Sequence, residues 1–252
     1  MIYYFCQSRD INLDYYIGSL ITFHYTEIMQ ITRFKKFLTQ LEKNNNKPWF
    51  DEHRDEYQDI RKQLVDFVTE VHKDIITFAP QFLDLNPSKA LFRINRDVRF
   101  SSNKHLYKTG MGFKLVLGAR TSNCPGYGFW ISSEGVYIGG GTPKMPTKDL
   151  NHFRDYFVAK PAETKDLLQQ IVIDEFEISQ EYRLKTSPRG YDADHPLIEL
   201  LKLQGYRAGK FFPHDPKTMT NDWLLETTIK NYEKLHPFVK FLQEARIFNP
   251  ST

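Results

Sequence analysis

The chain is poor in cysteine: Cys6 and Cys124 are the two present in 252 residues. That excludes a disulfide framework and a four-cysteine zinc site, and it favours a reducing, cytoplasmic setting. No apolar run approaches the roughly 18 residues needed to cross a bilayer, so no membrane span is expected. Charge of one sign is also lacking. The 34 Lys and Arg against 31 Asp and Glu leave +3 overall and a pI near 8.6, short of the strong basicity of a dedicated nucleic-acid binder. HExxH, CxxC, EF-hand and P-loop spacings are missing, so no metal or cofactor is assigned. Neither an internal repeat nor a low-complexity linker divides the chain.

What is present suffices for a sizeable core: 40% of residues are hydrophobic and 15% aromatic. Residues 1–28 mix aromatics with polar groups at no steady period and lack the basic start and cleavage site of a signal peptide. They read as an N-terminal extension or an upstream start, with the domain over 29–248 and a tail at 249–252. Ile31, Phe34, Phe37, Leu38 and Leu41 recur at helical spacing across 31–43. Asn44-Asn45-Asn46 stops that helix, and Pro48 suits the first turn of a second. The second helix carries Tyr57, Ile60, Leu64, Phe67, Val68, Val71 and Ile75 on one stripe, and the two form an αα-hairpin.

Residues 114–121 alternate as a strand. Residues 127–132 and 136–140 flank Ser133-Glu134-Gly135 as a β-hairpin, ended by Gly139-Gly140-Gly141. Thr147 is the expected N-cap of a helix carrying Leu150, Phe153, Arg154 and Phe157, and Pro161 opens another to 173. Further strands are expected at 182–186 and 206–212, a helix at 197–203, and helices near 218–233 and 236–246. The fold class is therefore α+β: one domain, its antiparallel or mixed sheet packed by the N-terminal αα-hairpin and by C-terminal helices.

The densest chemistry lies in Leu91-Phe92-Arg93-Ile94-Asn95-Arg96-Asp97-Val98-Arg99-Phe100 and the loop after it. Read as a strand, it places Phe92, Ile94, Arg96, Val98 and Phe100 on one face and Arg93, Asn95, Asp97 and Arg99 on the other. Arg96 falls on the apolar face and requires a partner from another segment. Residues 89–120 hold eight cations (Lys89, Arg93, Arg96, Arg99, Lys104, Lys108, Lys114 and Arg120) against Asp97 alone, a local +7, so the remainder of the chain sums to −4. Cations this close repel by roughly 1 kcal/mol per pair even in water. Two arrangements relieve that repulsion: acids donated from elsewhere, for which Asp51, Glu52, Asp55 and Glu56 of the second helix are candidates, or a bound anion.

The candidate binding residues are thus Arg93, Arg96, Arg99, Lys104, Tyr107 and Lys108. Guanidinium forks suit phosphate or carboxylate, the lysines act as point charges, and Tyr107 would orient the ligand. Asp97 is the candidate catalytic group, either as general base or as the residue that sets the arginine geometry. Tyr107 between Lys104 and Lys108 also suits base stacking, but the long basic track of a nucleic-acid groove is missing. Asp192, Asp194 and His195 precede Pro196 and read as a helix start more than as metal ligands. Cys124 beside Pro125 reads as a turn residue, and Trp49 and Phe50 as core.

Asn45-Asn46 followed by Trp49-Phe50 and Tyr57, then Phe92-Arg93, Arg96-Asp97-Val98-Arg99-Phe100, Lys104 and Tyr107-Lys108 resemble the domain of unknown function 2461 family. So do Gly135-Val136, Gly139-Gly140-Gly141 and Pro146, and Pro188, Gly190-Tyr191-Asp192 and His195-Pro196. The resemblance runs from about Ile31 to about Phe248, leaving residues 1–28 outside it. It implies a bacterial or fungal soluble protein and brings no activity with it. The reading is then a small-anion pocket, possessed or not of catalysis, with a nucleic-acid or protein binding module as the alternative.

Overall fold

In the computed structural model the described residues are 29–248, apart from 100, 119–121, 216 and 218. The expectations for residues 1–28 and for the tail fall outside them. Helix α1 (Ile31–Lys43) buries the five apolar residues of its stripe and ends at Asn44. The expected second helix is two. Asn46 caps α2 (Lys47–Glu52) by accepting from the Trp49 amide at 3.1 Å, and after His53 the chain restarts as α3 (Arg54–Phe78). His53 ties the break together, its ring stacked on Trp49 at 4.0 Å and its Nδ1 2.9 Å from the Trp49 carbonyl.

Five strands form one antiparallel sheet: β1 (Gly110–Val116), β2 (Gly126–Ser132), β3 (Gly135–Thr142), β4 (Glu177–Ile178) and β5 (Tyr206–Pro213), in the order β1-β2-β3-β5-β4. The hairpin at Ser133-Glu134 forms as its turn chemistry predicts. β1 starts at Gly110, earlier than the apolar alternation alone indicates. The short β4 replaces the expected strand at 182–186, which contributes a single bridge from Arg183 to Leu203. The glycine triplet lies inside β3 instead of ending it.

Helices α4 (Thr147–Ala159), α5 (Pro161–Ile173), α6 (Ile198–Leu201) and α7 (Asn221–Ile247) complete the fold. Pro146, not Thr147, occupies the cap position of α4. α7 runs unbroken through Pro237, where two helices were expected, because Pro237 is on the exposed side and its ring costs no core contact. Buried Arg154 of α4 donates Nε to the Leu201 carbonyl at 2.8 Å, which fastens α4 to α6.

One face of the sheet is covered. Phe113, Leu115, Tyr127, Phe129, Ile131, Val136 and Ile138 point inward to Phe67 of α3 and to α7, and each aromatic so buried is worth about 1.5–3 kcal/mol. Gly140 lets α7 approach: a Cβ there would stand 2.8 Å from Val239 Cγ2. Gly141 has φ +117°, and a Cβ would run into the Tyr206 carbonyl oxygen of β5. The opposite face holds Trp130, Tyr137 and Phe211, whose rings lie across Gly110, Gly209 and Gly135 on neighbouring strands.

Two measurements check this packing. Gly141→Ala should destabilise the protein by about 1–3 kcal/mol in denaturant unfolding, because the backbone conformation there favours glycine and the added methyl meets β5. His236 of α7 has Nδ1 2.7 Å from the Tyr127 hydroxyl, and burial followed by the charge of Lys240 holds its pKa below 6.5. The unfolded chain therefore takes up the proton more readily. Stability from this group is present above pH 6.5 and is lost as pH falls below it, and His236→Gln should flatten the melting-temperature slope between about pH 7 and 5.5.

Candidate functional site

The arginine-rich segment is extended without being a strand of the sheet. It makes isolated bridges from Leu91 to Phe113 and from Asn95 to Tyr107. Leu91 and Ile94 are buried, three residues apart, while Phe92 is 36% exposed. That spacing breaks the two-residue period of a regular strand, which is why the continuous alternation expected over 91–100 does not hold; Phe100 is not among the described residues. From Ile94 onward alternation resumes, with Arg96 and Val98 half-buried between exposed neighbours. The Arg96 amide donates to the Leu106 carbonyl at 2.9 Å and the Lys108 amide to that of Ile94 at 2.8 Å.

The outer edge of this excursion is closed by a side chain. Asn45 donates Nδ2 to the Tyr107 carbonyl at 3.0 Å, and its Oδ1 accepts from the Tyr107 amide at 2.9 Å. One carboxamide thus does the work of a neighbouring strand. The Tyr107 ring is buried, stacked on Phe50 at 4.0 Å and 12°. Tyr107 therefore anchors the segment to α2, and its ring belongs to the core.

The cations in and after the segment mostly meet carbonyls. Arg96 donates to the His105 carbonyl at 3.2 Å and to Ser101 Oγ at 3.4 Å, so the partner its position requires is main chain and hydroxyl, with no carboxylate. Lys104 reaches the Val98 carbonyl at 3.3 Å. Lys108 reaches that of Arg93 at 2.6 Å and lies 5.5 Å above the Phe92 ring. Arg99 grips Asp97 with Nε at 2.9 Å and Nη2 at 2.7 Å, and the Arg99 amide adds a bond at 3.2 Å. Those bonds, with the nearby charge of Arg93, hold the Asp97 carboxyl below its usual range. This is the geometry of a residue that positions an arginine; a carboxylate so stabilised is a weak general base.

Carbonyls satisfy donors without cancelling charge. Arg93, Arg96 and Lys104 make no ion pair among the described residues. Of the acids expected to neutralise the segment, Asp51 pairs with Lys47 and Arg54, whose bonds hold its carboxyl below the usual range, and Glu52, Asp55 and Glu56 make no ion pair with the segment among the described residues.

Arg93 opens onto a cleft of about 560 Å³ between α3 and the chain from Ser88 to Asn95. Across it stand Arg54, Gln58 and Arg61, at i, i+4 and i+7 on one face of α3, with Lys89 beside Arg93. Arg54 lies 5.7 Å from the Phe50 ring centroid. Burial pushes the Tyr57 hydroxyl pKa up against the pull of the Arg61 charge. No carboxylate lines the cleft among the described residues, and Arg61, Lys89 and Arg93 make no ion pair there. Of the residues expected to bind a ligand, Arg93 alone lines this cleft; Arg96, Arg99, Lys104, Lys108 and Tyr107 do not. The 54/58/61 stripe was readable but lay hidden among acids at 52, 55, 56 and 59.

Asp192 and His195 serve a turn. Asp192 Oδ1 accepts from the Asp194 amide at 3.0 Å, and His195 Nδ1 accepts from the Leu197 amide at 3.1 Å. Cys124 is a buried free thiol.

An arginine- and lysine-lined cleft, held by an αα-hairpin against a five-stranded antiparallel sheet, defines an α+β domain built around that sheet. The chain belongs to the family described as conserved hypothetical protein (DUF2461), which matches residues 33–241. No curated protein and no solved structure matches it. Among the described residues no helix is long and apolar enough to cross a membrane.

Asn45→Ala should lower stability by about 1–3 kcal/mol, because it orphans both polar groups of Tyr107. Amide exchange at Tyr107 should accelerate while that of the β2–β3 ladder follows global unfolding alone.

Proposed function

We propose that the cleft between α3 and Ser88–Asn95 binds a small anion, a phosphate or a carboxylate. The observation that carries this is the meeting of Arg61, Lys89 and Arg93 in one cleft of about 560 Å³ with no carboxylate in its lining. Such cations are held near one another at an electrostatic cost that an anion offsets, and the volume is within the range of small-molecule sites. Arg93 and Arg61 supply forks, Lys89 a point charge, and Gln58 a neutral donor. Asp97 is assigned to positioning Arg99, and Arg96, Lys104 and Lys108 to bracing the loop that carries Arg93. If a reaction takes place here, these donors serve it by stabilising negative charge as it develops. A reducing cytoplasmic setting accords with the buried free thiol of Cys124.

Titration with inorganic phosphate and with citrate, read by calorimetry and thermal shift, tests the proposal. Either anion should raise the melting temperature by mass action. Arg93→Ala should weaken binding tenfold or more, as loss of a charge-assisted bond of about 1.5–3 kcal/mol requires, and leave the unliganded melting temperature nearly unchanged. Equal binding by wild type and Arg93→Ala would overturn it. A steep linear fall of log affinity for single-stranded DNA with log salt would favour the nucleic-acid alternative instead.

A further inference from the structure

The outer face of the sheet carries a second and larger groove, about 1000 Å³, which the anion cleft does not use. Strand register lays out its floor. Lys114 stands opposite Gly128, Gly128 opposite Gly139, Gly139 opposite Gly209, and Gly209 opposite Glu177. The Tyr137 ring roofs Gly139 and Gly209, but a Cβ on Gly128 would meet nothing closer than the Gly139 carbonyl oxygen at 3.9 Å. Bare backbone therefore lies open beside Lys114, with Trp130 of the adjacent row as a wall.

Lys114 is half-buried, between this groove and a smaller cavity of about 360 Å³ beside Lys89. Its Nζ has one long bond, 3.3 Å to the Ser122 carbonyl, and it makes no ion pair among the described residues. Arg207, which also lines the groove, has its own counter-charge in Glu181. Burial brings the Lys114 pKa down from 10.5 to about 8; Cys124 opposes that shift, and the Arg207 charge adds a smaller push downward. An appreciable fraction of this amine is neutral near neutral pH, when surface lysines are almost wholly protonated.

We propose that Lys114 is a nucleophile that captures a small oxo acid in this groove as an imine, the ligand's carboxylate facing Arg207 and its carbon skeleton lying on Gly128. The neutral amine adds to the carbonyl carbon, forming the C–N bond. Proton transfer from nitrogen to oxygen then lets the C–O bond break, water leaves, and a C=N bond remains. No electrons are gained or lost overall. The assignment stands apart from the anion cleft and neither requires nor supports it.

The test uses glyoxylate with cyanoborohydride on the full chain near pH 7.5, with peptide mass mapping of every lysine. Lys114 should acquire the reduced adduct about tenfold faster than any other lysine, and Lys114→Arg should remove that fast phase. Formaldehyde, which has no carboxylate, should show a smaller preference for Lys114 than glyoxylate does. Gly128→Val should cut the glyoxylate preference by filling the floor. Modification of Lys114 no faster than exposed lysines would overturn the assignment, as would equal preference with both aldehydes.

Discussion

Burial of a single sheet face places the two long helices of the described fold. The inward row from Phe113 to Ile138 needs two long helices against it, and α3 and α7 supply them. Gly140 permits the approach of α7. Once α3 is fixed there, its first turns face the chain from Ser88 to Asn95, and the cationic cleft is a by-product of that docking. Among the described residues the other sheet face receives no helix, and its aromatics lie over glycines of neighbouring strands.

The arginine-rich segment illustrates how hydrogen bonding and charge separate. Arg96 has its donors met by His105 and Ser101, and Lys104 by Val98, so none is an orphan in the sense that destabilises a fold. The net positive charge remains, because carbonyls carry none. A segment can thus have its cations bonded to carbonyls and keep its net charge.

Much of the fold was legible because periodicity alone decides it. α1 and α5 fall where their apolar spacing and their Asn44 and Pro161 boundaries predict, and the β2–β3 hairpin follows from Ser133-Glu134-Gly135. The misreadings have physical sources. Two helices were expected near 218–233 and 236–246, where α7 runs as one through a solvent-facing Pro237. Phe92 and Ile94 suggested a strand, while Leu91 and Ile94 are the residues that are buried. The site was half legible: charge counting found Arg93, but the partners across the cleft come from α3. A helix stripe of Arg54, Gln58 and Arg61 resembles an ordinary solvated face until tertiary docking gives it something to look at. The neutralising acids were sought among neighbours of those very arginines, and Asp51 is spent on Lys47 of α2 and Arg54 of α3.

α7 enters both apolar clusters. Leu224, Tyr232 and Val239 belong to the one beneath β1–β3, and Leu235, Phe238 and Leu242 to the one formed with α4 and α6. The helix is therefore a shared wall, and no line of separation can be drawn between the clusters without cutting it. Amides in both layers should accordingly report a common opening event, so that the protein melts as one cooperative unit despite having two hydrophobic centres.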